Sequence, residues 1–195
     1  MDVVVEEISG APAERSRAAG ESAEAWRAMF GRVAAGEQAG LEALYRAMAR
    51  RIFGLALWRT GSVEDARDVV QEVFVRVAES RDRLARVTSP LPWLLAMAHH
   101  VAVDVARRRR RPSTPLEAVP HLVAPEREGD PVDAARASRL LAALPAAQRD
   151  AIYLRHYEEC TFAQIGAITG VPTFTAASRY RLGIARLRRL MEVEP

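Results

Sequence analysis

Thr161 to Met191 read T-F-A-Q-I-G-A-I-T-G-V-P-T-F-T-A-A-S-R-Y-R-L-G-I-A-R-L-R-R-L-M. Thr161 can cap a short helix, and Gln164 three residues on completes a capping box. Ile165 and Ile168 give that helix a buried face, and Gly170 suits the left-handed position past its end. Pro172 forbids continuation and is tolerated near the start of a second helix. Thr173 or Thr175 can cap that second helix. It mixes apolar Tyr180, Leu182, Ile184, Leu187 and Leu190 with Arg179, Arg181, Arg186, Arg188 and Arg189, and the whole stretch contains no acid. Two helices about such a turn describe a helix-turn-helix, whose second helix enters the DNA major groove. The same residues would also suit an Arg-decorated surface helix in any bundle, so the remainder of the chain has to discriminate.

Composition narrows the classes. The chain has 195 residues, 49% of them hydrophobic, which is enough for one large or two small domains with a real core. Net charge is +3, and every basic residue is Arg, with no Lys present. Such a small excess does not establish nucleic-acid binding, but its placement is informative. Cys160 is the single cysteine, so no intrachain disulfide can form and a cytosolic setting is expected. No basic-then-apolar leader and no run of membrane-spanning length is apparent, so neither secretion nor membrane insertion is expected.

The apolar pattern predicts an all-α protein of two small helical domains. Residues 1–22 are acidic and rich in small residues, and read as a flexible N-terminal extension. In 23–111, Trp26, Met29, Phe30 and Val33 form one helical stripe; Leu41, Leu44, Tyr45, Met48, Ile52, Leu55 and Trp58 form another. Gly61 breaks the chain and Ser62 can cap the next helix, which turns Val69, Val70, Val73, Phe74 and Val77 inward. A further break at Ser89 to Pro92 precedes a helix running into the Arg107–Arg111 block. Residues 112–131 hold five of the eleven prolines and predict an extended linker. Residues 132–195 are helical again and contain the helix-turn-helix. Such a linker predicts free tethering of the two domains; the sequence leaves open whether the free chain is instead closed and self-masked.

Two constellations outside the helix-turn-helix carry chemistry. Asp65, Asp68, Gln71 and Glu72 fall at helical spacing, so the three acids share one face opposite the valines. Such a face suits a basic protein surface, or is simply solvated. Five consecutive arginines, Arg107 to Arg111, suit phosphate contact or the negative end of a helix. His99 and His100 are adjacent and diverge on a helix. His156 and Cys160 offer only two ligands, where a structural zinc needs four. No phosphate-binding glycine loop, nucleophile elbow or H-E-x-x-H is present.

In order along the chain, these segments resemble the extracytoplasmic-function (ECF) sigma factors of bacterial RNA polymerase, over roughly residues 23 to 191. Asp65-Ala-Arg-Asp68-Val-Val-Gln71-Glu72-Val-Phe74 is similar to the family's Asp-rich Q-E-x-F signature. Trp93-Leu94 through Asp104 to Arg107 is similar to its W-L-x-x-I-A-x-N-x-x-x-D-x-x-R segment. Leu144-Pro145 through Arg149 to Leu154-Arg155, and Thr175-Ala-Ala-Ser-Arg179, match its upstream-element domain. The resemblance implies that Asp65, Asp68, Gln71 and Glu72 grip the largest polymerase subunit. It places His100, Arg107 and Arg108 at the minus-ten promoter element, and Thr175, Ser178, Arg179, Arg181 and Arg188 at the minus-thirty-five element. His100 stands where relatives commonly carry Asn, Phe174 where they carry Gly, and Ala177 where they often carry a basic side chain. The family is a transcription initiation factor and not an enzyme. It takes no cofactor or metal, acts in the cytoplasm with core RNA polymerase and promoter DNA, and is restrained in many cases by an anti-sigma protein.

The rival class is a stand-alone helix-turn-helix regulator with a helical sensor or dimerisation domain. The acidic Asp65–Glu72 helix and the Trp93–Arg107 segment separate the two, because a sensor needs neither.

Overall fold

A computed structural model describes residues 12–108 and 140–193, and among these every regular element is helical. The first group comprises α1 (Pro12–Ala34), α2 (Gln38–Thr60), α3 (Val63–Glu79), the one-turn α4 (Arg81–Leu84) and α5 (Pro90–Arg108). The second comprises α6 (Ala146–His156), α7 (Phe162–Thr169) and α8 (Thr173–Val193). The proline-rich 112–131 segment and Arg109 to Arg111 lie outside the described residues.

Local chemistry sets the breaks. Gly61 takes a left-handed conformation (φ 71°) and its N–H reaches the Leu57 carbonyl, closing α2. The Ser62 hydroxyl then accepts from the Asp65 N–H and opens α3. α1 starts well before Ala23, so part of the expected flexible extension is helical. Pro12 suits a first helical position, and the Ala, Glu and Arg that follow are strong helix formers. An apolar stripe, which begins only at Trp26, could not reveal that.

The core of the first group is the predicted one. Leu44, Met48, Ile52 and Leu55 of α2 face Val69, Val73 and Val77 of α3 and Leu94, Leu95 and Ala98 of α5, all of them buried. Phe30 and Val33 of α1 close it, with Phe30 meeting Trp93 edge-on at 5.8 Å. Tyr45 departs from the expected stripe. It is half exposed, packing its ring against Phe74 at 4.8 Å on the outside of α2 and α3.

The end of α2 shows something a single stripe cannot produce. Leu55, Ala56, Leu57 and Trp58 are consecutive and all buried. One face looks into the first group; the other is covered by the second. α6 packs on α2 and α7 packs on α5, so the described residues form one continuous apolar cluster. The expectation of two freely tethered domains therefore does not describe this conformation: the second helical group is seated on the first.

Candidate nucleic-acid interface

The helix-turn-helix forms as its sequence dictates. The Thr161 hydroxyl accepts from the Gln164 N–H (3.2 Å) and the Gln164 carboxamide accepts from the Thr161 N–H (2.8 Å), a complete capping box. Gly170 ends α7 at φ 69°. Neither Thr173 nor Thr175 caps α8. Both lie inside it, and the Pro172 carbonyl accepts the Thr175 and Ala176 N–H groups, so Pro172 holds the cap position. Ala176 is fully buried and fixes α8 against its neighbours. Tyr180 adds an anchor. Its hydroxyl bonds His156 Nε2 at 3.0 Å, and its ring lies 5.5 Å from that of Phe162. Burial, then the nearby Arg155, lowers the His156 pKa.

At about 100° per residue, Phe174, Ser178, Arg181 and Arg188 fall on one face of α8, opposite buried Ala176. Arg181 and Arg188 are exposed, and Ser178 accepts a 3.3 Å bond from Arg181. Thr175 and Arg179 sit on the flank and are partly exposed. Phe174 is 73% exposed at the start of this helix, a bare aromatic that periodicity alone had no reason to single out.

The acidic face of α3 is smaller than the spacing suggests. Asp68, Gln71 and Glu72 are exposed, and Glu72 pairs with Arg76 at 2.8 Å. Asp65 is 3% exposed, so it cannot offer its carboxylate to a partner in this conformation. Its place in the first turn beside the Ser62 cap explains this: it serves the positive end of α3. Beside Gln71 runs an apolar groove lined by Tyr45, Phe53, Val70, Phe74 and Val75. Sequence reading missed it because Tyr45 falls on the α2 stripe and reads as core, whereas its ring is half exposed; Phe74 is buried as expected.

On α5 the adjacent histidines diverge as expected. His100 is exposed and His99 is buried. Arg107 and Arg108 are exposed at the helix end, where Arg107 pairs with Asp104 at 3.0 Å. That contact is local and weak, and leaves both guanidinium groups at the surface.

The seam between the two helical groups brings together residues that sequence reading left unconnected. Asp150 of α6 accepts from the Arg59 guanidinium of α2 at 2.7 Å and lies 3.1 Å from His99 Nε2 of α5, all through one carboxylate oxygen. Arg51 Nε donates to Glu158 at 2.7 Å, and the Trp58 indole donates to the Arg149 carbonyl at 3.2 Å. These partners are 51 to 107 residues apart in sequence, beyond the reach of any periodicity.

Among the described residues no three His, Cys, Asp or Glu side chains converge as metal ligands, and no helix is long and apolar enough to cross a membrane. Cys160 is buried and its thiol pKa is pushed up to about 12 by burial, with Glu158 adding to the effect, so it is a poor nucleophile.

Comparison with known proteins addresses the whole chain. Residues 44–112 match the family Sigma-70 region 2, and residues 140–189 match Sigma-70, region 4. The chain is 32% identical over 165 residues to the ECF RNA polymerase sigma factor SigC of Mycobacterium tuberculosis, covering 83% of this chain and 88% of that protein. It is 31% identical over 162 residues to the RNA polymerase sigma factor CarQ of Myxococcus xanthus, covering 80% and 91%. Its fold matches that of CnrH, solved in complex with the cytosolic domain of CnrY (TM-score 0.66, 20% identity, 87% of this chain and 98% of that one). It also matches the sigma factor RpoE solved with the anti-sigma factor NepR from Bartonella quintana (TM-score 0.66, 20% identity, 79% and 98%).

Proposed function

Since the chain belongs to the ECF sigma factors of bacterial RNA polymerase, we propose that it docks on core polymerase through α3 and reads promoter DNA with α5 and α8. As a sigma factor it directs RNA polymerase to its promoters. The residue assignments are our own reading. Asp68, Gln71 and Glu72 form the polymerase contact, with the adjoining groove receiving apolar side chains of the same partner. His100, Arg107 and Arg108 meet the minus-ten element, and Thr175, Ser178, Arg179, Arg181 and Arg188 the minus-thirty-five element.

The observation that carries this reading is the exposure of an acidic row on α3 in the same chain as a capped helix-turn-helix whose solvent face bears Arg181 and Arg188. Carboxylates suit a basic protein surface; guanidinium groups suit guanine edges and phosphate. The match of the first helices to region 2 disfavours a stand-alone regulator. The protein acts in the cytoplasm as an initiation factor, with no catalytic chemistry of its own. The CnrH and RpoE structures each hold a bound partner, that of RpoE an anti-sigma factor, and an inhibitor of that class is the regulator this chain would take.

Promoter melting tests the function. Permanganate reactivity of thymines in the minus-ten region should appear only when chain and core polymerase are both present. Equal reactivity with polymerase alone would contradict the reading.

A further inference from the structure

We infer that Phe174 is a specificity-determining residue of α8: its ring lies against the 5-methyl group of a thymine in the major groove and selects thymine over cytosine at one position of the minus-thirty-five element. This role rests on the proposed function of α8 and names what the start of that helix reads.

Among the described residues Phe174 is the most exposed of the large apolar side chains, at 73%. A ring left in water adds little to the fold. Yet the backbone that carries it is fixed on both sides. The turn before it is tight: a Cβ on Gly166 of α7 would stand 2.6 Å from the Val171 carbonyl, and the Val171 N–H donates to the Gly166 carbonyl at 2.9 Å. After it, the N–H groups of Thr175 and Ala176 donate to the Pro172 carbonyl at 2.9 and 3.1 Å, and Ala176 is fully buried. The ring is therefore aimed by a pinned helix start, not carried on a loose loop.

Its direction suits the groove. Side chains on an α-helix lean toward the N-terminus, so the ring projects toward the leading end of α8, the end that meets base edges in helix-turn-helix proteins. At about 100° per residue, Ala177 and Ser178 lie within about 60° of Phe174 on the next turn. Both are small, so the helix surface beside the ring is low and does not hold it away from the groove floor. Arg181 is exposed on the same face. Seven residues on from Phe174, it stands about 10 Å further along the axis, so the two address base pairs no more than about three steps apart.

The chemistry names the occupant. No acid occurs from Thr161 to Met191 and α8 carries five arginines, a setting that favours a polyanion over a protein of mixed charge. The major-groove edges of the bases are polar except at the thymine methyl group. A phenyl ring can neither donate nor accept a conventional hydrogen bond, so the methyl is the one group there that it matches. At the same edge cytosine offers its amino donor and no methyl, and the ring leaves that donor unpaired.

The test uses the full chain assembled with core polymerase, on promoters which that holoenzyme selects. Each thymine of the minus-thirty-five element, on either strand, is replaced in turn by deoxyuridine, which removes the methyl group and keeps every hydrogen-bonding atom. With the wild-type chain one replacement should weaken promoter binding about fourfold, the worth of burying one methyl group. With Phe174→Ala the same replacement should make no difference, whereas Arg181→Ala should keep the wild-type ratio of thymine to deoxyuridine. The Phe174→Ala chain should hold its helical circular dichroism, because the side chain is exposed. Wild-type binding that no deoxyuridine weakens, a Phe174→Ala chain as sensitive as wild type, or a Phe174→Ala defect in polymerase capture and not in promoter binding overturns the assignment. A holoenzyme that selects no promoters overturns the reading of α8 and this role with it, while insensitivity to the methyl group on selected promoters overturns this role alone.

Discussion

The Tyr153 hydroxyl rests over Gly54, so close that a Cβ at position 54 would stand 2.6 Å from its oxygen. Tyr153 is 5% exposed and is stacked on Tyr157 with centroids 5.0 Å apart, so it has little room to withdraw. Burial, with Glu158 next, raises its pKa and keeps the hydroxyl protonated. A mid-helix glycine in α2 is thus explained by a neighbour from the other helical group.

Gly54→Ala turns this contact into a test of sign. Replacing a mid-helix glycine by alanine ordinarily stabilises by about 1 kcal/mol. Here the overlap with Tyr153 should reverse that and cost about 1–3 kcal/mol by chemical denaturation of the full chain. A gain near 1 kcal/mol would show that Tyr153 does not occupy that space.

The Arg51–Glu158 pair should be asymmetric. The Glu158 side chain is 3% exposed and that of Arg51 32%. Removing Arg51 leaves a buried carboxylate alone, so Arg51→Ala should cost about 1–3 kcal/mol. Glu158→Gln leaves only a solvent-reachable guanidinium, and should stay within about 1 kcal/mol of wild type.

The pH dependence of that pair has a definite sign. Burial raises the Glu158 carboxyl above its ordinary 4.5, and the Arg51 charge and hydrogen bond only partly oppose it. A raised folded pKa gives stability that is present below the unfolded value and lost as pH rises through the folded one. Glu158→Gln cannot titrate, so its melting temperature should gain on wild type as pH rises from below 4.5 toward neutral. A gap that narrows or reverses over that range contradicts the assignment.

Asp65 and Asp68 should part company. Asp68→Arg alters an exposed carboxylate, so stability should move by no more than about 0.5 kcal/mol while capture of core polymerase weakens. Asp65→Ala should instead lower the melting temperature, since Asp65 is buried at the start of α3. Full polymerase capture by a folded Asp68→Arg chain removes α3 from the docking surface.

On α8, readout and anchoring should separate. Arg181 lies on the same face as Ser178 and Phe174 in the N-terminal half of α8, the part that enters the groove in helix-turn-helix proteins. Arg181→Ala should change the rank order of promoters and cost about 1–3 kcal/mol where a guanine contact is lost. Arg188 lies further along, so Arg188→Ala should weaken all sequences alike and make the salt dependence shallower. Unchanged promoter ranking by the Arg181 variant removes this turn from base readout.

What the sequence disclosed follows from the range of the forces involved. The Thr161–Gln164 capping box, the Gly170 and Gly61 ends and the α2 and α3 stripes act within a few residues, and each was readable from spacing. The resemblance to ECF sigma factors joined those local signals into a family, and the matches to Sigma-70 regions 2 and 4 agree with it. Asp65 is more deeply buried than its spacing suggests because spacing assigns a face but not the depth of a helix start. The groove beside Tyr45 was hidden because a half-exposed aromatic on the edge of a stripe looks the same as a core one. The seam was invisible because Arg59, His99 and Asp150 are ordinary surface residues until the second domain covers them.

Transcription reconstituted from core polymerase, this chain and a pool of genomic promoter fragments, with sequencing of the RNA 5′ ends, tests the central claim most directly. The account predicts start sites that appear only with the chain present and share common minus-ten and minus-thirty-five sequences. It also predicts that the Arg181→Ala variant shifts the set and that the Asp68→Arg variant diminishes it. The same start sites with and without the chain would contradict it.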